Sequence, residues 1–117
     1  MKFSMGNIQF YWDKQSTTDF YQQVADSSVE YVYLGESVCS KRRELRLDDW
    51  LEVGRELSKK GKAVVLSSLA LLEAKSELAT LKKVCLNGEL EVEANDFGAV
   101  EILSEAKVPF VAGAALN

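Results

Sequence analysis

The chain contains no histidine. That absence removes the Cys-His pair and every Ser-His-Asp arrangement, because both depend on an imidazole to take up and return a proton near neutral pH. Nucleophilic hydrolysis by either route is therefore poorly supported. Proline is almost missing, with one in 117 residues, which excludes proline-rich linkers. Cysteine occurs twice, at Cys39 and Cys85, too far apart for a CxxC or CxH spacing. Neither a disulfide framework nor a self-contained zinc site is indicated. No apolar run approaches the ~20 residues that a membrane span requires. The opening MKFSMGNIQFYW alternates like a strand and lacks the apolar stretch and small-residue cleavage site of a secretory signal, so a cytoplasmic location is the default expectation. Basic excess is missing as well: 18 acidic against 14 basic residues give a net charge of −4, which argues against nucleic acid as a partner.

What is present fits one soluble domain spanning residues 1–117. Hydrophobic residues make up 47% and charged residues 27%, an ordinary globular balance in a chain long enough to bury a core but short for a complete enzyme barrel. Strand-like and helix-like segments take turns along it. KFSMGNIQFYW reads as a first strand. The run from Ser16 to Asp19 resembles a capping box opening a helix that carries Phe20, Val24 and Ala25. EYVYLG reads as the second strand. Asp48 is the expected cap of DDWLEVGRELSKK, whose Leu47, Leu51, Gly54 and Leu57 form an inward stripe, and Gly61 stands where a helix end favours positive φ.

KAVVLSSLA is a continuous apolar run of the kind buried on both faces. In LLEAKSELATLKKVCLNG, Ala74, Leu78, Leu81 and Cys85 share one helical face, and Gly88 ends the helix. GELEVEA alternates again, Asp96 caps a short helix expected to run through Lys107, and VPFVAG starts a fifth strand. The expected fold class is thus α/β, with alternating β/α units and parallel strands. Two architectures fit: a small doubly wound sheet, or the first half of a TIM-like (β/α) barrel, whose units average ~31 residues. No GxGxxG or GxxxxGKS follows the first strand, which weighs against a nucleotide-binding version of the first.

In either architecture the chemistry collects where loops leave the C-terminal ends of the strands. That rule selects residues 36–43, Ser67 and Ser68, residues 93–96, and residues 113–117. Cys39 lies in the first group, next to Lys41, Arg42 and Arg43, whose charges would favour the thiolate that attacks electrophiles or binds metal; an incidental loop cysteine is the plainer reading. Three consecutive basic residues most simply make a solvated surface, while their arginines also match anions and carboxylates through a planar fork. Glu93 is either a strand glutamate in polar surroundings or an inward carboxylate in need of a partner such as Lys41, Arg42 or Arg43. Cys85 reads as a small buried hydrophobe, and Trp12 and Trp50 read as packing residues.

The runs YLGESVCSKRRE, DDWLEVGREL, KAVVLSSLALLEAKSEL, EANDFG and PFVAGAALN, taken in order, resemble the N-terminal part of the UbiV-like ubiquinone biosynthesis proteins, a branch of the collagenase-like peptidase family. The resemblance covers essentially all 117 residues and is most specific around Cys39. It implies an iron-sulfur accessory protein working with a UbiU-like protein subunit in oxygen-independent ring hydroxylation during ubiquinone biosynthesis. It also implies a four-iron, four-sulfur (4Fe-4S) cluster held by four cysteines, of which Cys39 matches the first, with the basic cluster after it balancing the cluster's charge and a quinone precursor as the bound molecule; Arg42, Arg43 and Glu93 are the candidate substrate or charge-balancing residues. The family's other three cluster cysteines fall in the second half of a much longer chain, and Cys85 matches none of them. The 117 residues are therefore expected to be an N-terminal fragment of about four and a half β/α units, without a cluster of its own, inactive alone and prone to self-association through an unpaired strand edge. A peptidase-like hydrolase of the wider family is the alternative, against which the missing histidine counts.

Overall fold

Five strands alternate with four helices in a computed structural model that describes residues 2–8, 12–35, 45–68, 75–113 and 116, with the backbone alone for 75–77. The order is β1 (Ser4–Met5), α1 (Lys14–Ala25), β2 (Tyr31–Leu34), α2 (Leu47–Lys59), β3 (Ala63–Ser67), α3 (Lys75–Cys85), β4 (Glu91–Ala94), α4 (Phe97–Glu105) and β5 (Phe110–Ala112). Every neighbouring pair is parallel and the sheet order is β1-β2-β3-β4-β5. A doubly wound sheet reverses its strand order at a switch point. No such reversal occurs among the described strands, so the chain takes the arrangement of successive units in a TIM-like fold.

Register decides which residues meet the helices. Val32 pairs with Val64, Leu34 with Leu66, Leu66 with Val92, and Ala94 with Ala112, so these side chains share one face of the pleat. Tyr21 and Val24 of α1 and Trp50 and Leu57 of α2 pack there with Val32, Leu34 and Leu66. Leu81 and Cys85 of α3 and Ala99 and Leu103 of α4 pack on the same face with Val92 and Ala94. All four helices therefore cover one side, as right-handed crossovers between strands in sequential order require. Burial of Leu34, Leu57, Leu66 and Leu103, each at or below 2% exposure, contributes about 1.5–3 kcal/mol apiece.

Helix ends show where local chemistry differs from expectation. The first helix opens at Lys14, ahead of the expected Ser16: Asp13 is its cap, and its carboxylate accepts the Ser16 backbone N–H at 2.7 Å. Asp48 does not cap α2. The cap is Arg46, whose backbone N–H donates to the Asp49 carboxylate at 2.9 Å. Gly61 ends α2 as expected: at φ 84° it donates to Ser58 O while Lys62 N donates to Leu57 O, the paired bonds of a Schellman turn. The last helix stops at Glu105, short of Lys107, because Lys107 itself takes the left-handed position (φ 56°) and donates to Ser104 O in the same kind of turn. Gly88 is also left-handed, at φ 76°, in a turn organised by Asn87, whose amide donates to Val84 O and Leu90 O while its oxygen accepts from Glu89 and Leu90.

Three side chains of the sequence reading can be placed directly. Trp50 is buried, and Trp12, half-exposed, meets Phe20 edge to face at 5.1 Å, so both pack. Leu78 departs from its expected inward stripe and is 44% exposed, while Leu81 and Cys85 stay inside. Ala74 lies outside the described residues. No described helix is long and apolar enough to cross a membrane.

Candidate functional site

On the face away from the helices, register places Ser67 of β3 beside Glu93 of β4, and Glu93 beside Val111 of β5. Tyr33 of β2 and Val65 of β3, paired with each other one pleat back, point the same way. Into this face comes Asn7. The first strand is only two residues long, shorter than the eleven-residue run expected of it, and the chain leaves the ladder at Gly6. Asn7 then donates its amide to Ser67 Oγ at 3.0 Å and to Glu93 Oε1 at 3.3 Å, and Ile8 N rejoins the neighbouring backbone at Gly35 O, 3.0 Å away.

Glu93 Oε1 collects three neutral donors. Besides Asn7, Ser67 Oγ donates at 3.0 Å and Asn95 Nδ2 at 2.9 Å. The second proton of that Asn95 amide goes to Ser68 O at 2.9 Å, and the Asn95 backbone N–H donates to Ser68 Oγ at 2.9 Å. Ser67, Ser68 and Asn95 are all buried, so their polar groups are matched to one another rather than to water. Gly113 closes the edge. A Cβ there would collide with the Asn95 amide oxygen and stand 2.9 Å from Ala94 O, so only glycine lets the end of β5 lie over the amide.

The second carboxylate oxygen is different. Among the described residues no hydrogen bond reaches Glu93 Oε2, and the residue is half-buried. Three fixed donors hold the carboxylate plane while one oxygen remains able to accept a proton donor from a ligand. The expected cationic partners of Glu93, Lys41, Arg42 and Arg43, lie outside the described residues, as does Cys39; among the described residues, the donors to Glu93 are the neutral side chains of Asn7, Ser67 and Asn95.

Cys85 takes no part in this site. It is 2% exposed in the α3–α4 core, and its thiol is pushed up to about 11, first by burial and then by the negative charge of Asp96. A protonated, buried thiol is a packing group and not a ligand. Among the described residues no group of three or more His, Cys, Asp or Glu could hold a metal ion, so these residues do not fit a four-thiolate cluster set. Two carboxyls elsewhere are held below their ordinary range by backbone N–H donors, Asp13 by Ser16 and Asp49 by Arg46, and both serve helix ends. A groove of about 570 Å³ runs between α1 and α2, lined by Lys14, Tyr21, Asp49 and Leu57 among others, on the opposite side of the sheet from Glu93.

Of the residues the strand-end rule selected, Ser67, Ser68, Glu93, Asn95 and Gly113 meet at one edge of the sheet. It missed Asn7, which sat inside the expected first strand; had that strand ended at Met5, the same rule would have included it. No family model matches this chain, and no solved structure matches it.

Proposed function

We propose that the chain is the N-terminal part of a UbiV-like iron-sulfur accessory protein that acts with a UbiU-like partner in oxygen-independent hydroxylation of a quinone-precursor ring during ubiquinone biosynthesis. The observation that carries the reading is the sequential parallel sheet, with polar residues from three different β/α segments (Asn7, Ser67 and Glu93) meeting at one edge. This is where a TIM-like fold assembles its chemistry. In sequence, Cys39 follows the last residue of β2, Leu34, by a few positions, and so belongs to the connection that leaves this same edge. The motif run YLGESVCSKRRE supports the assignment of Cys39 as one cluster ligand, with the remaining three supplied by sequence outside these 117 residues.

On this reading the present residues bind and orient, and a single thiol is contributed to a group assembled elsewhere. Glu93, Asn7, Ser67 and Asn95 form the polar wall. Arg42 and Arg43 balance the negative charge of a thiolate-bound cluster.

Iron and acid-labile sulfide content tests the reading, measured on anaerobically prepared protein extended through its downstream half, with and without Cys39→Ser. Close to four irons per chain, lost on substitution, is the expected outcome. Iron held equally well by the Cys39→Ser protein removes Cys39 from the ligand set, and an iron-free extended protein removes the reading as a whole.

A further inference from the structure

Away from the Glu93 edge, the turn that joins α3 to β4 holds the pair Asn87-Gly88. Asparagine followed by glycine is the pairing in which a main-chain nitrogen most readily attacks the preceding side-chain amide, because glycine has no side chain to crowd the approach. Two other described asparagines have bulkier followers: Ile8 comes after Asn7, and Asp96 after Asn95. The attacking group is ready. Gly88 is exposed, among the described residues no hydrogen bond engages its N–H, and beyond its chain neighbours no atom stands within 4 Å of where a Cβ would lie.

The Asn87 side chain, by contrast, is fully committed. Its oxygen accepts the N–H of Glu89 at 2.8 Å and of Leu90 at 2.7 Å, and its amide donates to Val84 O at 2.7 Å and to Leu90 O at 3.1 Å. These four bonds tie the end of α3 to the start of β4. The turn also reaches α2: Arg55 donates to both oxygens of Glu89, at 2.9 and 3.1 Å, and Leu90 fills the space that Gly54 leaves, where a Cβ would stand 2.7 Å from Leu90 Cδ1. Attack on Cγ of Asn87 must turn its carbonyl away from two N–H donors and its NH2 away from two carbonyls. The turn has to open first.

We infer that Asn87 is a modification site, deamidated by water through cyclisation onto Gly88 when this turn opens, and that the product cannot rebuild the turn. The inference goes beyond the proposed function and does not rest on the assignment of Cys39. In the first step the Gly88 nitrogen, having given its proton to base, bonds to Cγ of Asn87, and the side-chain nitrogen departs as ammonia to leave a succinimide ring. Water then opens the ring at either carbonyl, giving aspartate or isoaspartate. In sum one water is consumed and one ammonia released, with no oxidation or reduction. Aspartate keeps the acceptors for Glu89 and Leu90 but has no proton for Val84 O or Leu90 O, and it sets a negative charge against both. Isoaspartate routes the main chain through its own Cβ, which adds a methylene to a turn clasped at both ends.

The experiment incubates the full chain at mildly alkaline pH, folded and in urea, and follows the peptide that contains Asn87 by mass spectrometry, with aspartate and isoaspartate separated by chromatography. In urea Asn87 is expected to convert faster than Asn7 and Asn95, and Gly88→Ala to bring it down to the rate of those two. Folding is expected to slow Asn87 about tenfold or more, the factor that one or two net hydrogen bonds imply. Asn87→Asp, which installs one product directly, is expected to lower the denaturation midpoint and to speed hydrogen exchange at the Glu89 and Leu90 amides; failure of this variant to fold is the extreme of the same effect, and the rate comparison needs only the unaltered chain. Conversion in the folded chain as fast as in urea removes the gate, conversion at Asn87 no faster than at Asn7 and Asn95 removes the site, and an unchanged midpoint in Asn87→Asp removes the consequence. Any of the three overturns the inference.

Discussion

The two faces of the sheet are built from the same strands and differ in almost everything else. On one face Val32, Leu34, Leu66, Val92 and Ala94 lie under four helices and are sealed from water. On the other, Tyr33, Val65, Ser67, Glu93 and Val111 stand one residue out of phase, and no described helix packs on them. Because strand side chains alternate, each residue of β2, β3 and β4 belongs wholly to one regime or the other. The helix face holds the fold together by apolar burial. The other face carries its polar groups at the strand-end edge, where Val65 and Ser67 are buried as well and the polar atoms are matched by hydrogen bonds to one another.

The widest gap between the faces should show on truncating adjacent residues of β2. Leu34→Ala, on the sealed face, is expected to cost about 2–5 kcal/mol in chemical denaturation, whereas Tyr33→Ala costs under about 1 kcal/mol. Equal costs would mean that the open face is as much a core as the other. A second test concerns Cys85, on the sealed side of α3. Its folded-state pKa, about 11, lies above the ordinary thiol value of 9.0, so the unfolded chain ionises first as pH rises. The associated stability is fully present below pH 9 and is lost as pH climbs through about 11, a decline of up to about 2–3 kcal/mol. Denaturation midpoints of the parent and Cys85→Ala across that window check it: the variant starts lower and declines less.

At the edge where the faces meet, Asn95→Ala strips donors from Ser68 O and Glu93 Oε1 at once. The expected cost is about 1–3 kcal/mol, against about 1 kcal/mol for Ser67→Ala, because Asn95 serves two acceptors in a buried site. The smallest effect is a gain. Lys107 holds the left-handed position at the end of α4, where a side chain is disfavoured, and Lys107→Gly should stabilise by on the order of 1 kcal/mol. A rise in thermal midpoint confirms it, and a fall would show that the lysine side chain contributes packing that outweighs backbone strain.

Most of the element order was legible because the repeating signals are local. Alternating apolar residues in GELEVEA, the apolar run KAVVLSS, and Gly61 and Gly88 after helical stripes each report their own neighbourhood. The misses are local rules overridden by neighbours. Ser16 looked like a cap, but Asp13 reaches the Ser16 amide first. Leu78 fits the stripe of Leu81 and Cys85 by spacing yet is 44% exposed and stands outside the buried cluster that holds those two. The first strand was read too long because alternation continues through Gly6 and Asn7, while Asn7 is drawn off the ladder by two partners 60 and 86 residues away.

The sequence by itself determined the α/β class, the parallel pairing implied by helices between strands, the edge at which polar residues gather, and the burial of Cys85, because periodicity, capping and chain connectivity are properties of consecutive residues. Tertiary structure alone decided between a doubly wound sheet and sequential β/α units, since strand order is set by which strands pair and not by their succession. It alone decided that Glu93 is met by neutral donors from Asn7, Ser67 and Asn95, all on one carboxylate oxygen. Those contacts join residues far apart in the chain, and such convergence exists only once the strands are in register.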